Sequence, residues 1–112
     1  MEIRFKNKRF AGVLNDYNKS IASFGKAVGK TVHLRLQQMR AINNLNEMNI
    51  TPGIRCHPLK GKKTGEYGIT LTGNYRLIIK PDYEVIPRKK DGGIDLTKIE
   101  KVLVLNVEDY HG

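Results

Sequence analysis

The chain has 112 residues with one cysteine, Cys56, and 20 basic against 11 acidic side chains give it a formal charge of +9. That length suits a single domain over residues 1–112 with one modest core, and 39% hydrophobic with 28% charged residues lies in the globular range, away from disorder. A lone cysteine excludes an internal disulfide framework, no run approaches the roughly 18 apolar residues of a membrane span, and the first residues lack the apolar stretch of a secretion signal, so a cytoplasmic setting without membrane contact is expected.

Ile3 and Phe5 alternate with Glu2, Arg4 and Lys6, which predicts a first strand with one buried face. Phe10, Val13, Leu14 and Tyr17 then follow helical spacing, with Asn7 as N-cap. Residues 20–45 predict a longer second helix, whose apolar row is Val28, Val32, Leu36 and Met39 and which Gly25 and Gly29 could split. Its other face carries Lys26, Lys30, Arg35 and Arg40, read as solvated. An asparagine-rich stretch and Thr51-Pro52-Gly53 end this helix.

The remainder reads as sheet. Residues 54–59 make a short strand that runs into a glycine-bounded basic turn, Lys60-Gly61-Lys62-Lys63-Thr64-Gly65. Tyr67, Ile69 and Leu71 alternate with small residues, and Gly73-Asn74 closes a hairpin into residues 75–80, which places Arg76, Ile78 and Lys80 on one face and Tyr75, Leu77 and Ile79 on the other. Residues 81–100 read as an irregular excursion with a short extended piece at 83–86. Residues 101–107 are apolar on both faces and belong inside the sheet, with the polar Asp109-Tyr110-His111 delivered at their end.

Two polar clusters could carry chemistry: this tail and His57-Pro58-Leu59-Lys60. Neither a helical zinc motif, a paired-cysteine motif nor a phosphate-binding glycine loop is present. A metal held by His57, Asp109 and His111 stays open as an alternative. A Cys56–His57 nucleophilic pair would require irregular backbone, because adjacent strand residues point to opposite faces.

RNA transesterification asks for a base, an acid and cations around the phosphorane, and RNA supplies its own 2′-hydroxyl nucleophile, so neither metal nor cofactor is required. The charge agrees with a polyanionic partner: residues 1–40 carry 9 basic and 2 acidic side chains, residues 41–65 carry 4 and 1, and residues 66–112 carry 7 and 8. Tyr67 or Tyr75 could stack on a base or simply be a core ring. From residue chemistry alone the chain reads as a basic α+β domain that binds nucleic acid.

His57-Pro58-Leu59-Lys60-Gly61, Gly65-Glu66-Tyr67-Gly68, Gly73-Asn74-Tyr75-Arg76 and the terminal Asp109-Tyr110-His111 together resemble the HigB-type toxins of the RelE/ParE superfamily. The resemblance implies an α+β fold of two N-terminal helices packed on a small antiparallel sheet, and a type II toxin that cleaves mRNA on the ribosome without a metal. It implies His57, Asp109, Tyr110 and His111 as catalytic positions, with Lys60, Lys62, Lys63, Arg76 and Tyr67 as substrate- and phosphate-binding ones. The implied partners are a HigA-type antitoxin, the ribosome and mRNA, with a higher-order toxin–antitoxin complex on operator DNA. A non-catalytic toxin of the same fold, such as a gyrase inhibitor, is the alternative. Thr70 stands where relatives often have arginine, and the 81–100 excursion is longer than the turn expected there.

Overall fold

A computed structural model describes residues 1–110, apart from the Lys62 side chain. Among the described residues four α-helices lie between the first and second strands and cover one face of a five-stranded sheet: β1 (Glu2–Phe5), α1 (Lys8–Leu14), α2 (Tyr17–Phe24), α3 (Lys26–Ala41), α4 (Leu45–Ile50), β2 (Cys56–Pro58), β3 (Tyr67–Thr70), β4 (Tyr75–Pro81) and β5 (Lys101–Asp109). The strand order is β1-β5-β4-β3-β2, which puts β5 in the interior, as its two apolar faces predict. Pairing is antiparallel from β2 through β5, whereas β1 runs parallel to β5. A parallel neighbour requires a crossover connection, and the chain between these two strands includes the whole helical layer.

The helical region holds four helices where the periodicity predicts two. Asn7 caps α1 as expected, accepting from the Phe10 N–H at 2.8 Å. Tyr17 belongs to α2 instead, because Asp16 accepts from the Lys19 N–H at 2.9 Å and starts a new helix. Gly25 divides α2 from α3 at φ +88°, a left-handed conformation that favours glycine. The asparagine-rich stretch also starts a helix: Asn44 accepts from the Glu47 N–H at 3.0 Å, and Glu47 accepts in return from the Asn43 N–H at 2.9 Å.

Val28, Val32, Leu36 and Met39 are the buried row of α3, as their spacing predicts. They meet Ile69, Leu77, Ile79, Val102 and Val104 from the sheet, while Leu45 and Met48 of α4 complete the core. The 81–100 segment is packed and bonded, with a bridge between Arg88 and Ile94 and a 3₁₀ turn at Leu96–Lys98 in place of the extended piece expected at 83–86. Ile99 is fully buried, and the Tyr83 hydroxyl accepts from the Glu100 N–H at 2.8 Å and donates to the Lys98 carbonyl at 3.3 Å.

Gly29 does not break α3; it admits α2. A Cβ there would lie 2.7 Å from the Ile21 backbone nitrogen and 2.8 Å from its Cα, and backbone atoms cannot step aside. Gly12, in α1, has open space around it. The two glycine-to-alanine changes should therefore have opposite signs. Gly12→Ala should stabilise by about 0.5–1 kcal/mol through helix propensity, and Gly29→Ala should destabilise by roughly 1–3 kcal/mol through overpacking. Denaturant midpoints of the two variants check this.

Candidate functional site

Strand alternation and register assign each polar residue to a face. Cys56, Ile69, Leu77 and Val107 form one row across the sheet, and Tyr67 pairs with Ile79; all pack toward the helices. The opposite face carries a row of His57, Gly68, Ile78 and Asn106, and beside it a row of Thr70, Arg76 and Glu108. His57 and Arg76 therefore share the face that the helical layer leaves uncovered. A bulge between Ile78 and Ile79 resets the parity of β5, which is why Asn106 and Glu108 join them.

Between β2 and β3 the chain folds back over this face. Leu59 is the nearest contact to the space above Gly68, 3.3 Å from where a Cβ would sit, so the absence of a side chain at Gly68 lets the loop settle there. Ile78 is 1% exposed yet lies outside the helix-side core cluster, and the same space above Gly68 brings it toward Leu59. A 3₁₀ turn at Gly61–Lys63 follows Lys60, which is itself exposed. From this turn Lys63 reaches β5, where its ammonium donates to Glu108 Oε2 and, at 3.3 Å, to the Tyr110 hydroxyl. Its Nζ also lies 5.3 Å from the centre of the Tyr110 ring.

These contacts set the charges. The hydrogen bond to Lys63 holds the Glu108 carboxyl below its usual range, and the bond to Glu108 raises the Lys63 ammonium. Asn106 Nδ2 donates to the second Glu108 oxygen at 3.3 Å. Arg76 donates to the carbonyls of Tyr75 at 2.9 Å and Gly73 at 3.2 Å, which holds its guanidinium at the β3–β4 turn. The tail is fixed at the same turn, since the Tyr110 N–H donates to the Asn74 carbonyl at 2.9 Å. Arg35 reaches the end of β3, where its Nε donates to the Thr70 carbonyl at 3.0 Å.

His57, Lys63, Arg76 and Tyr110 are thus brought to one side of the sheet. Asp109 pairs with Tyr75, so its Cβ starts from the helix side at the exposed end of β5. Tyr67 is 6% exposed and packs in the core, where burial and then neighbouring Cys56 raise its phenol, so its ring backs the sheet. Burial pushes the Cys56 thiol up to about 12, and a protonated thiol is a poor nucleophile. His111 and the Lys62 side chain lie outside the described residues. Among those described, no three His, Cys, Asp or Glu side chains gather as a metal site, and no helix is long and apolar enough to cross a membrane.

Glu108 and Asn106 are the members of this surface that sequence reasoning missed. The available signal was parity: Glu108 and Asp109 are adjacent on one strand and must face opposite sides. Which of them joins Arg76 depends on register.

A family model for the RelE-like toxin HigB of type II toxin–antitoxin systems matches residues 4–88. The chain belongs to this family of HigB-like toxins. Membership in a type II toxin–antitoxin family gives it an antitoxin as partner. Among solved structures, a YoeB/ParE toxin from Agrobacterium tumefaciens superimposes with a TM-score of 0.55 at 10% identity, covering 99% of this chain and 100% of that one. At that identity the likeness concerns the fold. No curated protein sequence matches the chain. The family match ends at Arg88, so β5 and the tail lie beyond it.

The Lys63–Glu108 pair gives a pH test with a defined sign. Glu108 has a lowered folded pKa, so its stabilisation is present above its ordinary 4.5 and disappears as pH falls through the lower folded value. Lys63 has a raised folded pKa, so its share is complete below 10.5 and disappears as pH climbs through the higher folded value. Comparing denaturation midpoints of the native chain and Glu108→Gln should show a gap across neutral pH that closes on acidification. A gap that persists unchanged in acid would mean that the pair is not its source.

Proposed function

We propose that this toxin is a ribosome-dependent mRNA interferase, an endoribonuclease that works in the cytoplasm without a metal. What supports this reading is the gathering of His57, Arg76, Lys63 and Tyr110 on the one sheet face free of helices, in a chain of the RelE-like toxin family. The 2′-hydroxyl of the substrate attacks the adjacent phosphate, and the 5′-oxygen leaves as that bond breaks. His57 and His111 divide the two proton transfers, one as base and one as acid. Arg76, Lys60, Lys62 and Lys63 carry the charge that builds on the phosphorane oxygens. Tyr110 positions the nucleotide, and Asp109 orients a histidine.

β2 and β5 stand three strand spacings apart, about 14 Å, so one small group cannot touch both strands. A nucleotide with its flanking phosphates fits that span, and Lys63, on the turn that follows β2, already reaches its β5 side. The ribosome holds the mRNA extended, which makes positioning rather than chemical activation the main contribution of so exposed a site. A HigA-type antitoxin neutralises the toxin, and the pair forms a larger complex on operator DNA.

The second reading, a non-catalytic toxin that inhibits by binding, draws on the fold shared with the YoeB/ParE toxin and on the tail's position beyond the family match. Induced expression followed by mapping of mRNA 5′ ends separates the two. Cuts should appear in translated frames, His57→Ala should reduce them by about 10²–10⁴-fold, and Arg76→Ala by about 10²–10³-fold. Intact mRNA in cells that still stop growing, with both variants fully toxic, would establish the binding reading, and a DNA supercoiling assay would then test gyrase.

A further inference from the structure

A cavity of about 340 Å³ opens between the end of β1, α1, α2 and β5. Phe10, Val13 and Phe24 give it apolar walls, while Lys6 and Arg9 stand among its lining residues as exposed cations. Lys6 Nζ lies 4.6 Å from the centre of the Phe10 ring, so one cation is already held beside an arene. Asn106 lines the cavity as well, and it is the same residue that donates to Glu108 on the candidate site face. Cavity and site therefore meet at Asn106, on the length of β5 past Val104 where the β1 pairing has stopped, and one step along β5 between Asn106 and Glu108 measures about 7 Å.

We infer that this cavity is a second RNA subsite, which takes an unpaired base against Phe10 and Phe24 and the adjoining phosphate on Lys6 and Arg9. The inference rests on the nuclease reading for its substrate and adds where the strand goes beyond the cleaved bond. Aromatic walls accept any base by stacking, and paired cations follow the backbone, which is how single strands are held without sequence preference. Asn7, whose Oδ1 caps α1, adds its amide nitrogen as a donor to the base edge.

An acidic protein segment would satisfy the same cations, and the open part of β5 could in principle pair with it as a strand. Beyond Phe5 the β1 pairing stops, which leaves the outer edge of β5 past Val104 without that neighbour. Asn106 Oδ1, however, accepts from the Val107 N–H at 3.0 Å. A main-chain donor that an added strand would use is thereby occupied, which is a way of blunting an edge. A base in the cavity needs no such group.

The test uses the full chain and two 2′-O-methylated, uncleavable RNAs: a dinucleotide, which reaches only the His57–Arg76 face, and a hexanucleotide, which reaches both. Lys6 and Arg9 are exposed, so the double variant Lys6→Gln/Arg9→Gln leaves the core untouched. It should bind the hexanucleotide on the order of tenfold more weakly, with the salt slope of log K shallower by about 0.7 for the one phosphate no longer neutralised. Dinucleotide binding should not change. A hexanucleotide carrying 5-iodouridine should cross-link to Phe10 or Phe24. Unchanged hexanucleotide affinity and salt slope, or cross-links confined to the Tyr110 side, would overturn the subsite. So would loss of antitoxin binding in a double variant that still holds the hexanucleotide normally, because the cavity would then be a protein site. The two readings fail separately: uncut mRNA with the Phe cross-link present removes the nuclease, and cut mRNA without it removes the subsite.

Discussion

β5 is hydrogen-bonded on both sides, parallel to β1 and antiparallel to β4, and this double pairing constrains the rest of the molecule. An interior strand buries both of its faces only if each is covered. The helices supply one cover through Val28, Val32, Leu36 and Met39. The loop that carries Leu59 and Lys63 folds over part of the other. A strand held so firmly also presents its last residues with definition: Glu108 faces the loop, and the backbone of Tyr110 is bonded to the β3–β4 turn. The polar end of the chain is thus placed by the most apolar strand in it.

Much of this was legible in the residues because it depends on local pattern. The Val28, Val32, Leu36 and Met39 row, the Asn7 cap, the Gly73-Asn74 hairpin and the interior position of residues 101–107 all follow from spacing and side-chain chemistry within a few positions. Helix count was not legible, since Asp16 and Asn44 act as caps only if the chain turns there, and the same residue types occur inside loops. Gly25 and Gly29 show the limit well. Both could break a helix; one sits at positive φ and does, while the other is needed because a neighbouring backbone comes to within contact distance. That difference lies in tertiary packing and leaves no mark on either residue.

The face of each site residue was legible only where register was simple. His57 and Arg76 share a side by alternation and hairpin pairing, which the sequence supports. Glu108 and Asp109 could not be assigned, because the bulge at Ile78/Ile79 shifts β5 by one residue against β4 and reverses which of them faces Arg76. Tyr67 illustrates the same rule in the other direction. Its neighbours suggest a functional aromatic, yet it pairs with Ile79 and enters the core.

A carboxylate on a surface proposed to take phosphate looks self-defeating, and the magnitudes resolve it. Lys63 and Glu108 keep 38% and 28% of their side-chain surface exposed, and pairs this wet are worth between zero and about 1 kcal/mol. So weak a bond gives up its cation readily to a phosphate, whose oxygens are equally good acceptors. What the pair does provide is position. A lysine on a 3₁₀ turn has a flexible four-carbon stem, and without Glu108 its ammonium would range over open solvent. Held against Glu108 and Tyr110, it waits above β5 where RNA must pass on the proposed reading. Arg76 solves the same problem differently, since the two carbonyls that hold it are neutral dipoles. One cation is thus placed by an exchangeable anion and the other by fixed dipoles, and on the proposed reading both meet a polyanion drawn in by the basic first 65 residues.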